Sequence, residues 1–193
     1  MSKKNVLIIG DTHEPFCHPL YKNFCYEVAN KFQCTEIVHI GDEVDNHAIS
    51  YHESKPDGHS AGREADLAQA AMYKWYKTFP NVKVCIGNHS ALHKRKAQTS
   101  GLPDRFIKSY EQAWDAPKGW KWALEWEIDS VLYTHGTGKP KPSRFSCTSA
   151  TSGTNYTAGR QSISLQISST TSRVDCKTAS CLAVTIRYTP TSD

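Results

Sequence analysis

The sequence predicts an α/β fold in which parallel strands alternate with helices. Three short apolar runs, at residues 5–9, 36–40 and 82–86, each lead into glycine and then into polar side chains. A helix-like pattern separates each run from the next. Strand–helix–strand units of this spacing normally form right-handed crossovers with parallel pairing. Parallel strands end at the same sheet edge, so the polar residues that follow the three runs are expected to meet there.

The remaining elements follow from the spacing of apolar residues. Leu20, Phe24, Val28 and Phe32 recur every four residues and are expected to form the buried stripe of the first helix. Alternating tryptophans at 120–126 predict a half-buried strand. The predicted elements after the first strand are helix 20–32, strand 36–40, helix 63–78, strand 82–86, helices 91–98 and 103–115, and strands 120–126 and 128–134.

Length and composition favour one cytoplasmic domain. The chain has 193 residues, which is the size of a single domain. We find no apolar run near the ~20 residues of a membrane span, and the first residues lead into a strand rather than a signal sequence. The seven cysteines include no Cys-x-x-Cys pair and are interpreted as reduced thiols, several of them in the core. The oligomeric state is not predicted.

Composition changes abruptly after Gly138. Residues 139–193 are rich in serine and threonine and contain neither histidine nor tryptophan, and residues 140–193 supply the whole net charge of +4. We therefore divide the chain into a domain at 1–138 and an atypical tail at 139–193. Alternation around 163–167 and 182–188 predicts two strands in the tail. The break suggests a shifted reading frame or a recombined gene near residues 138–140, which the DNA around codon 139 would test.

The polar residues at the predicted sheet edge have the chemistry of a dinuclear metal site. The candidate ligands are Asp11, His13, Asp42, Asn88 and the strand-final His135. Carboxylate, amide and imidazole groups suit manganese, zinc, iron or magnesium. Two ions roughly 3.5–4 Å apart need a shared carboxylate, and Asp42 is the candidate. We expect Asp11 and His13 to complete one ion, and Asn88 and His135 the other.

Two neighbouring residues are candidates for proton transfer. A pair of ions can lower the pKa of a shared water to give hydroxide near neutral pH. Attack of hydroxide on a phosphoryl group expels an alkoxide, which needs a proton. His89 adjoins a ligand and is the candidate general acid. Asp45 is expected to hold His89 in its protonated form.

Taken together and in this order, these motifs resemble those of the calcineurin-like metallophosphoesterases. The matching stretches are Asp11-x-His13, Gly41-Asp42-x-x-Asp45, Gly87-Asn88-His89 and His135. The resemblance implies a mixed β-sheet sandwich flanked by helices, two divalent ions (manganese before zinc, iron or magnesium), hydrolysis of phosphomonoesters or phosphodiesters, and the residue roles given above. Residues 45–50, 79–80 and 119–136 look like phage or prophage members of the family.

Two departures from the family pattern stand out. Ser90 follows Gly-Asn-His, where the family usually has Asp or Glu. The larger departure is the lack of a late Gly-His-x-His motif, since no histidine follows His135. The resemblance would assign one ligand from that motif to each ion. A catalytically impaired remnant is therefore an alternative to the active enzyme.

Other features leave alternatives open. His47 lies in the loop after Asp45, and Arg95 belongs to the basic run Lys94-Arg95-Lys96. Both are candidates for contact with the substrate, and solvated surface positions are the competing interpretation. The tryptophan cluster is typical of sheet packing, although it is also consistent with stacking on nucleobases. A nuclease acting on DNA or RNA is thus a second enzymatic reading. His39 is expected to be a packed core residue.

Overall fold

The computed structural model confirms an α/β fold with a parallel sheet, an antiparallel pair of strands and flanking helices. It describes residues 5–53, 56–129 and 131–136 with their side chains, and residues 154–158, 161–168 and 180–187 as backbone strands. The elements are β1 Asn5–Ile9, α1 Tyr21–Lys31, β2 Glu36–His39, α2 Ala61–Thr78, β3 Val82–Cys85, α3 Leu92–Thr99, α4 Tyr110–Ala113, β4 Trp120–Ala123, β5 Glu125–Ile128, β6 Val131–Thr134, β7 Thr154–Ala158, β8 Gln161–Ser168 and β9 Ser180–Arg187.

The sheet places the ends of the first three strands side by side. Strands β4, β3, β2 and β1 pair in parallel in that spatial order, and β9, β8 and β7 continue the sheet beyond β1. Strands β5 and β6 form a separate antiparallel pair. In the tail, β8 and β9 confirm the two predicted strands, while Tyr188 lies outside the described residues. The frame break suggested near 138–140 also lies outside them.

Apolar side chains cover both faces of the parallel sheet, as the continuous hydrophobic run of β1 predicts. On one face, Leu7 and Ile9 join a core formed with α1 and α2. On the other face, Val6 and Ile8 pack against residues of β5 and β6, including Tyr133. The antiparallel pair therefore lies against the sheet, and the end of β6 approaches the edge where β1, β2 and β3 end.

The buried stripe of α1 differs from the prediction. Leu20 and Phe32 are 54% and 43% exposed, whereas Tyr21, Cys25 and Val28 are buried. A strict four-residue repeat drifts by about 40° at each step around a helix of 3.6 residues per turn. The outer members of the predicted stripe consequently turn away from the core and flank the helix at its two ends.

Two further predictions were wrong in their boundaries. The helix expected at 103–115 is a 3-10 turn at Asp104–Phe106 followed by the short helix α4. Ser109 divides them, because its side chain accepts a hydrogen bond from the Gln112 backbone and begins a new helix. The single strand expected at 120–126 is split at Leu124, which is 72% exposed. There the chain leaves the parallel sheet and enters the antiparallel pair.

Predictions about individual buried residues fared better. His39 is a core residue, 1% exposed, and burial lowers its pKa to about 3. The four cysteines whose side chains are described, Cys17, Cys25, Cys34 and Cys85, are free thiols, and burial raises the pKa of Cys25 and Cys85 to about 12. In the described part of the chain, no helix is both long enough and apolar enough to span a bilayer.

Candidate metal centre

The loops after β1 and β2 are joined by backbone hydrogen bonds that continue the parallel pairing. The amide of His13 donates to the carbonyl of Asp42 at 2.9 Å, and that of Glu14 to the carbonyl of Glu43 at 3.0 Å. The amide of Asp45 returns a bond to the carbonyl of Glu14 at 2.9 Å. These bonds fix the positions of both loops relative to each other, so their polar side chains share one edge of the sheet.

Two glycines allow the close approach on which the site depends. A Cβ atom on Gly87 would lie 2.1 Å from the Asp42 carboxylate, and a Cβ atom on Gly41 would lie 2.7 Å from the His135 ring. Gly41 also has a φ of +106°, which side chains rarely tolerate. Glycine is therefore required at both positions, because a Cβ atom would collide with the side chain of a candidate ligand.

The predicted ligands of the first ion lie together. Asp11, His13 and Asp42 each offer a ligand atom, and these atoms lie within 4.8 Å of one another. His13 Nδ1 donates to the Asp45 carboxylate at 2.7 Å, which leaves Nε2 available as the metal ligand. Asp11 is half-exposed, whereas Asp42 is buried, with 3% of its surface accessible.

The predicted ligands of the second ion also converge. Nε2 of His135 lies 3.1 Å from Oδ2 of Asp42 and 3.0 Å from Oδ1 of Asn88. Nδ1 of His135 donates to the carbonyl of Ile40 at 2.8 Å, so Nε2 is the atom presented to the two oxygens. Asp42 therefore belongs to both groups, as expected of a shared carboxylate.

Charge pairing among these residues shifts their pKa values. A hydrogen bond to Asp42 raises the pKa of His135 to about 9, although burial opposes the shift. The hydrogen bond to Asp45 raises the pKa of His13 in the same direction. Burial by itself would raise the pKa of Asp42, but the hydrogen bond and charge of His135 outweigh it and lower that pKa. Partial burial raises the pKa of Asp11.

His89 and Asp45 lie beside the ligands, in an arrangement that differs in one respect from expectation. Nδ1 of His89 donates to the backbone carbonyl of Asp45 at 2.5 Å, and the carboxylate of Asp45 is 3.4 Å away. The shorter bond of that carboxylate, at 2.7 Å, goes to His13. Asp45 thus orients both rings, and Nε2 of His89 remains available to face a substrate.

A buried network beneath the ligands was missed by the sequence reasoning. The hydroxyl of Ser90 donates to Glu43 at 2.5 Å and accepts from the amides of Asp42 and Gly87 at 3.1 and 3.3 Å. The indole of Trp122 donates to the other oxygen of Glu43 at 3.0 Å. Burial raises the pKa of Glu43, which is fully inaccessible to solvent. Nothing in the local sequence marked this role, because Glu43 lies between Asp42 and Val44 in a run of acidic residues.

The two substrate-contact candidates have partners outside the group of candidate ligands. Within the described chain, neither His47 nor Arg95 has a hydrogen bond or ion pair to a predicted metal ligand. The backbone amide of His47 donates to Glu64 at 2.6 Å, and the guanidinium of Arg95 lies 5.3 Å from the ring centre of Tyr51. These contacts fit structural positions at least as well as substrate contact.

The tryptophan cluster packs within the protein. Trp120 is 2% exposed and donates to the carbonyl of Phe79, while the partly buried Trp126 donates to that of Val84. Rings used in this way do not form an open stacking surface. The packing interpretation is therefore favoured over a base-stacking surface formed by the alternating tryptophans.

Comparison of the chain with protein-family models, with curated proteins and with solved structures found no match. Function therefore has to be inferred from the residues of the site. Of the seven residues expected at the metal centre, all lie together at the edge where β1, β2 and β3 end, joined by the end of β6.

Proposed function

We propose that the chain is a metal-dependent phosphoesterase of the calcineurin-like type, with two divalent ions, manganese first, at the edge of the sheet. The observation that carries the proposal is the position of Asp42. This buried carboxylate offers a ligand atom within 4.8 Å of those of Asp11 and His13. Its Oδ2 also lies 3.1 Å from Nε2 of His135, which faces Oδ1 of Asn88 at 3.0 Å. A shared carboxylate between two sets of oxygen and nitrogen donors is the central requirement of a dinuclear site.

The residues present fit such ions. Nε2 of His135 faces two oxygens at 3.0 and 3.1 Å, so it must carry a proton when no metal is bound. This proton lies on Nε2 of His135 and faces the oxygens of Asp42 and Asn88. It therefore occupies the place that a cation would take. Carboxylate, amide and imidazole together suit manganese, zinc, iron and magnesium, so the metal is not fixed by the donor set alone.

The chain's own residues supply the remaining chemistry. The bound ions would polarise a phosphoryl oxygen and lower the pKa of a water molecule between them. As the water oxygen bonds to phosphorus, the ester P–O bond breaks and the leaving oxygen takes a proton from His89. The backbone carbonyl and carboxylate of Asp45 hold the His89 ring by its Nδ1 side, which directs Nε2 toward the leaving group.

The lack of a late Gly-His-x-His motif favours the impaired remnant as a second candidate. Against it, each ion in the proposal has three protein ligands, since Asp42 counts for both. Catalytic metal sites commonly use three protein ligands and leave a position for water or substrate. Weaker retention of the ions, rather than loss of the reaction, is the expected consequence.

The test is metal content and turnover in one preparation. The protein loaded with manganese is assayed with p-nitrophenyl phosphate and bis-p-nitrophenyl phosphate, which also separates monoesterase from diesterase activity. Asp42→Ala is expected to abolish turnover and to remove both ions, because each loses its shared ligand. Asp66→Ala, which removes an exposed carboxylate from α2, is the matched control and is expected to behave as wild type.

Three results discriminate between the readings. Two bound ions with turnover that depends on Asp42 support the enzyme. One weakly bound ion or none, without turnover, supports the remnant. Undiminished turnover in Asp42→Ala would show that the site is elsewhere.

A further inference from the structure

A second group of potential metal ligands lies beside the proposed centre, on three different loops. His13 follows β1, Asp45 follows β2 and His89 follows β3, and each offers a ligand atom within 4.8 Å of the other two. Other contacts hold these loops together. The Asp45 amide donates to the carbonyl of Glu14 at 2.9 Å, and the Asn46 side chain donates to the carbonyl of His89 at 3.0 Å. The three side chains are therefore brought together by more than their own hydrogen bonds.

The atoms that meet are ring nitrogens that the proposed catalytic ions do not use. Nδ1 of His13 lies 2.7 Å from Oδ1 of Asp45, and Nδ1 of His89 lies 3.4 Å from the same oxygen. The planes of the two rings cross at 83°, so the rings reach that oxygen from different directions. The side chains of His13, His89 and Asp45 are 32%, 29% and 17% exposed, so the group is open to ions from solvent.

The spacing of these atoms is close to that of a zinc site. Zinc lies about 2.0–2.2 Å from nitrogen and oxygen ligands, so two ligand atoms of a tetrahedral ion are roughly 3.4 Å apart. His89 and Asp45 already have this separation, and Nδ1 of His13 would have to retreat from the carboxylate by roughly 0.7 Å. Zinc would replace the Nδ1 proton of each ring. Two nitrogens and one oxygen leave a fourth position for water, as in other zinc sites with three protein ligands.

The donor atoms distinguish this group from the proposed catalytic centre. Oxygen predominates at that centre, where Asp11, Asp42 and Asn88 accompany two imidazoles, whereas two of the three donors in the second group are nitrogens. Imidazole suits zinc, carboxylate and carbonyl oxygens suit manganese, and zinc binds a given site more tightly than manganese does. The second group is therefore expected to take zinc and to leave manganese to the neighbouring centre.

We propose that His13, Asp45 and His89 form a zinc site that excludes the catalytic ion assigned to His13. A neutral imidazole has a free lone pair on one ring nitrogen only, because the other nitrogen carries the proton. Zinc on Nδ1 of His13 thus leaves Nε2 protonated, and Nε2 is the atom assigned to the first catalytic ion. The same zinc removes His89 from its bonds to Asp45. Zinc binding needs no catalytic activity, whereas inhibition by zinc rests on the proposed phosphoesterase function.

The binding test uses the full chain with Asp42→Ala, which lacks the shared ligand of the catalytic centre and keeps all three zinc ligands. Calorimetric titration of this metal-free variant with zinc chloride is expected to show one zinc per chain. Adding His89→Ala is expected to weaken zinc binding by about tenfold or more, because even loss of an outer partner of a metal ligand costs about 10–100-fold. Asp42→Asn repeats the measurement with the shape of the side chain kept.

His52→Ala is the matched control for His89→Ala. His52 is an exposed histidine of the loop after Asp45, and among the described residues it belongs to neither group of potential metal ligands. Added to Asp42→Ala, this substitution is expected to leave zinc binding unchanged. Absence of zinc binding in both Asp42 variants, or equal zinc affinity after His89→Ala and His52→Ala, would overturn the proposal.

Inhibition is measured on p-nitrophenyl phosphate, whose phenolate leaves with little help from an acid, so that His89→Ala still turns over. Added zinc is expected to inhibit the manganese-loaded wild-type protein, and further manganese is expected to restore turnover. The zinc concentration that gives half inhibition is expected to rise by about tenfold or more in His89→Ala and to stay unchanged in His52→Ala. Zinc that merely replaced manganese at the catalytic centre would inhibit all three proteins alike.

The zinc site and the phosphoesterase can fail separately. Zinc binding that depends on His89, without turnover of any phosphate ester, keeps the zinc site and rejects the phosphoesterase. Turnover with manganese that zinc inhibits equally in the wild type, His89→Ala and His52→Ala keeps the phosphoesterase and rejects the zinc site. Zinc bound through His89 together with undiminished manganese binding and turnover would show that the two sites do not exclude each other, which also overturns the proposal.

Discussion

Replacing Ser90 by alanine tests whether the buried network under the candidate metal centre positions the proposed ligands. The Ser90 hydroxyl bonds to Glu43, to the amide of Asp42 and to the amide of Gly87. Alanine would leave the Asp42 amide and one carboxylate oxygen of Glu43 buried without these partners. The substitution creates little space, so the effect isolates the hydrogen bonds from packing.

The expected magnitude follows from those bonds. The bond to Glu43 is short at 2.5 Å and the bond from Asp42 is of ordinary length at 3.1 Å, whereas the third, at 3.3 Å, is weak. Each buried group left without a partner costs about 1–3 kcal/mol. Allowing for relaxation and for entry of water, we expect the free energy of unfolding to fall by about 2–4 kcal/mol. Loss of such support typically reduces metal affinity by about 10–100-fold.

Urea denaturation of metal-free protein measures the first quantity, and calorimetric titration with manganese measures the second. Ser100→Ala is the matched control, because the Ser100 hydroxyl bonds only to an exposed helix carbonyl among the described residues. Its effect is expected to stay within about 0.5 kcal/mol. If Ser90→Ala matched this control in both assays, the network would have no positioning role.

Three further predictions concern the same edge of the sheet. Gly87→Ala should abolish metal binding, because its Cβ would lie 2.1 Å from the Asp42 carboxylate, whereas Gly62→Ala, with no atom within 4 Å of its Cβ, should bind metal normally in the same titration. In metal-free protein, the raised pKa of His135 should contribute stability below pH 6.5 that is lost as pH rises toward 9, and urea titrations of His135→Gln should lack that loss. His89→Ala should slow hydrolysis of an alkyl phosphate such as glycerol 2-phosphate, whose alkoxide leaving group needs a proton, while elemental analysis finds metal content near normal.

Each of these has a result that contradicts it. Normal metal binding in Gly87→Ala would mean that the loops carrying Asp42 and Asn88 can move apart without loss of the metal site. An unchanged pH dependence in His135→Gln would mean that the pairing with Asp42 does not contribute to stability. Loss of metal from His89→Ala would make that residue a ligand instead of a proton donor.

The convergence of the candidate ligands was predictable because a parallel sheet converts distant segments into neighbours. Asp11, Asp42 and Asn88 each follow glycine at the end of a strand, and three adjacent parallel strands bring those ends together. His135 was harder, since β6 belongs to a different pair of strands. The position of His135 follows from the packing of β5 and β6 against the sheet. Alternation of apolar and polar residues predicts the strands themselves but not the surface on which they pack.

Other features depended on helix geometry, on a local cap or on a tertiary contact, none of which the spacing of apolar residues records. The buried face of α1 is displaced from the four-residue repeat because a helix turns every 3.6 residues. Ser109 restarts a helix through a local capping box that competes with the longer helical pattern. Glu43 falls at an unspecified position of the Gly-Asp-x-x-Asp motif, so its bond to Ser90 could only be found in three dimensions.

The backbone of the candidate site is held in unusual conformations by the protein's own hydrogen bonds. Asp11, His13, Asp42 and Asn46 all have φ between 46° and 53°, a left-handed conformation that costs about 1–2 kcal/mol for most residues and less for Asp and Asn. Such conformations persist only where the surroundings hold them. Here the holding contacts are backbone bonds between the two loops and the hydrogen bonds among Ser90, Glu43 and Asp42. The metal-free chain should therefore keep its ligands in place, and binding of a cation should mainly require displacement of the proton on His135.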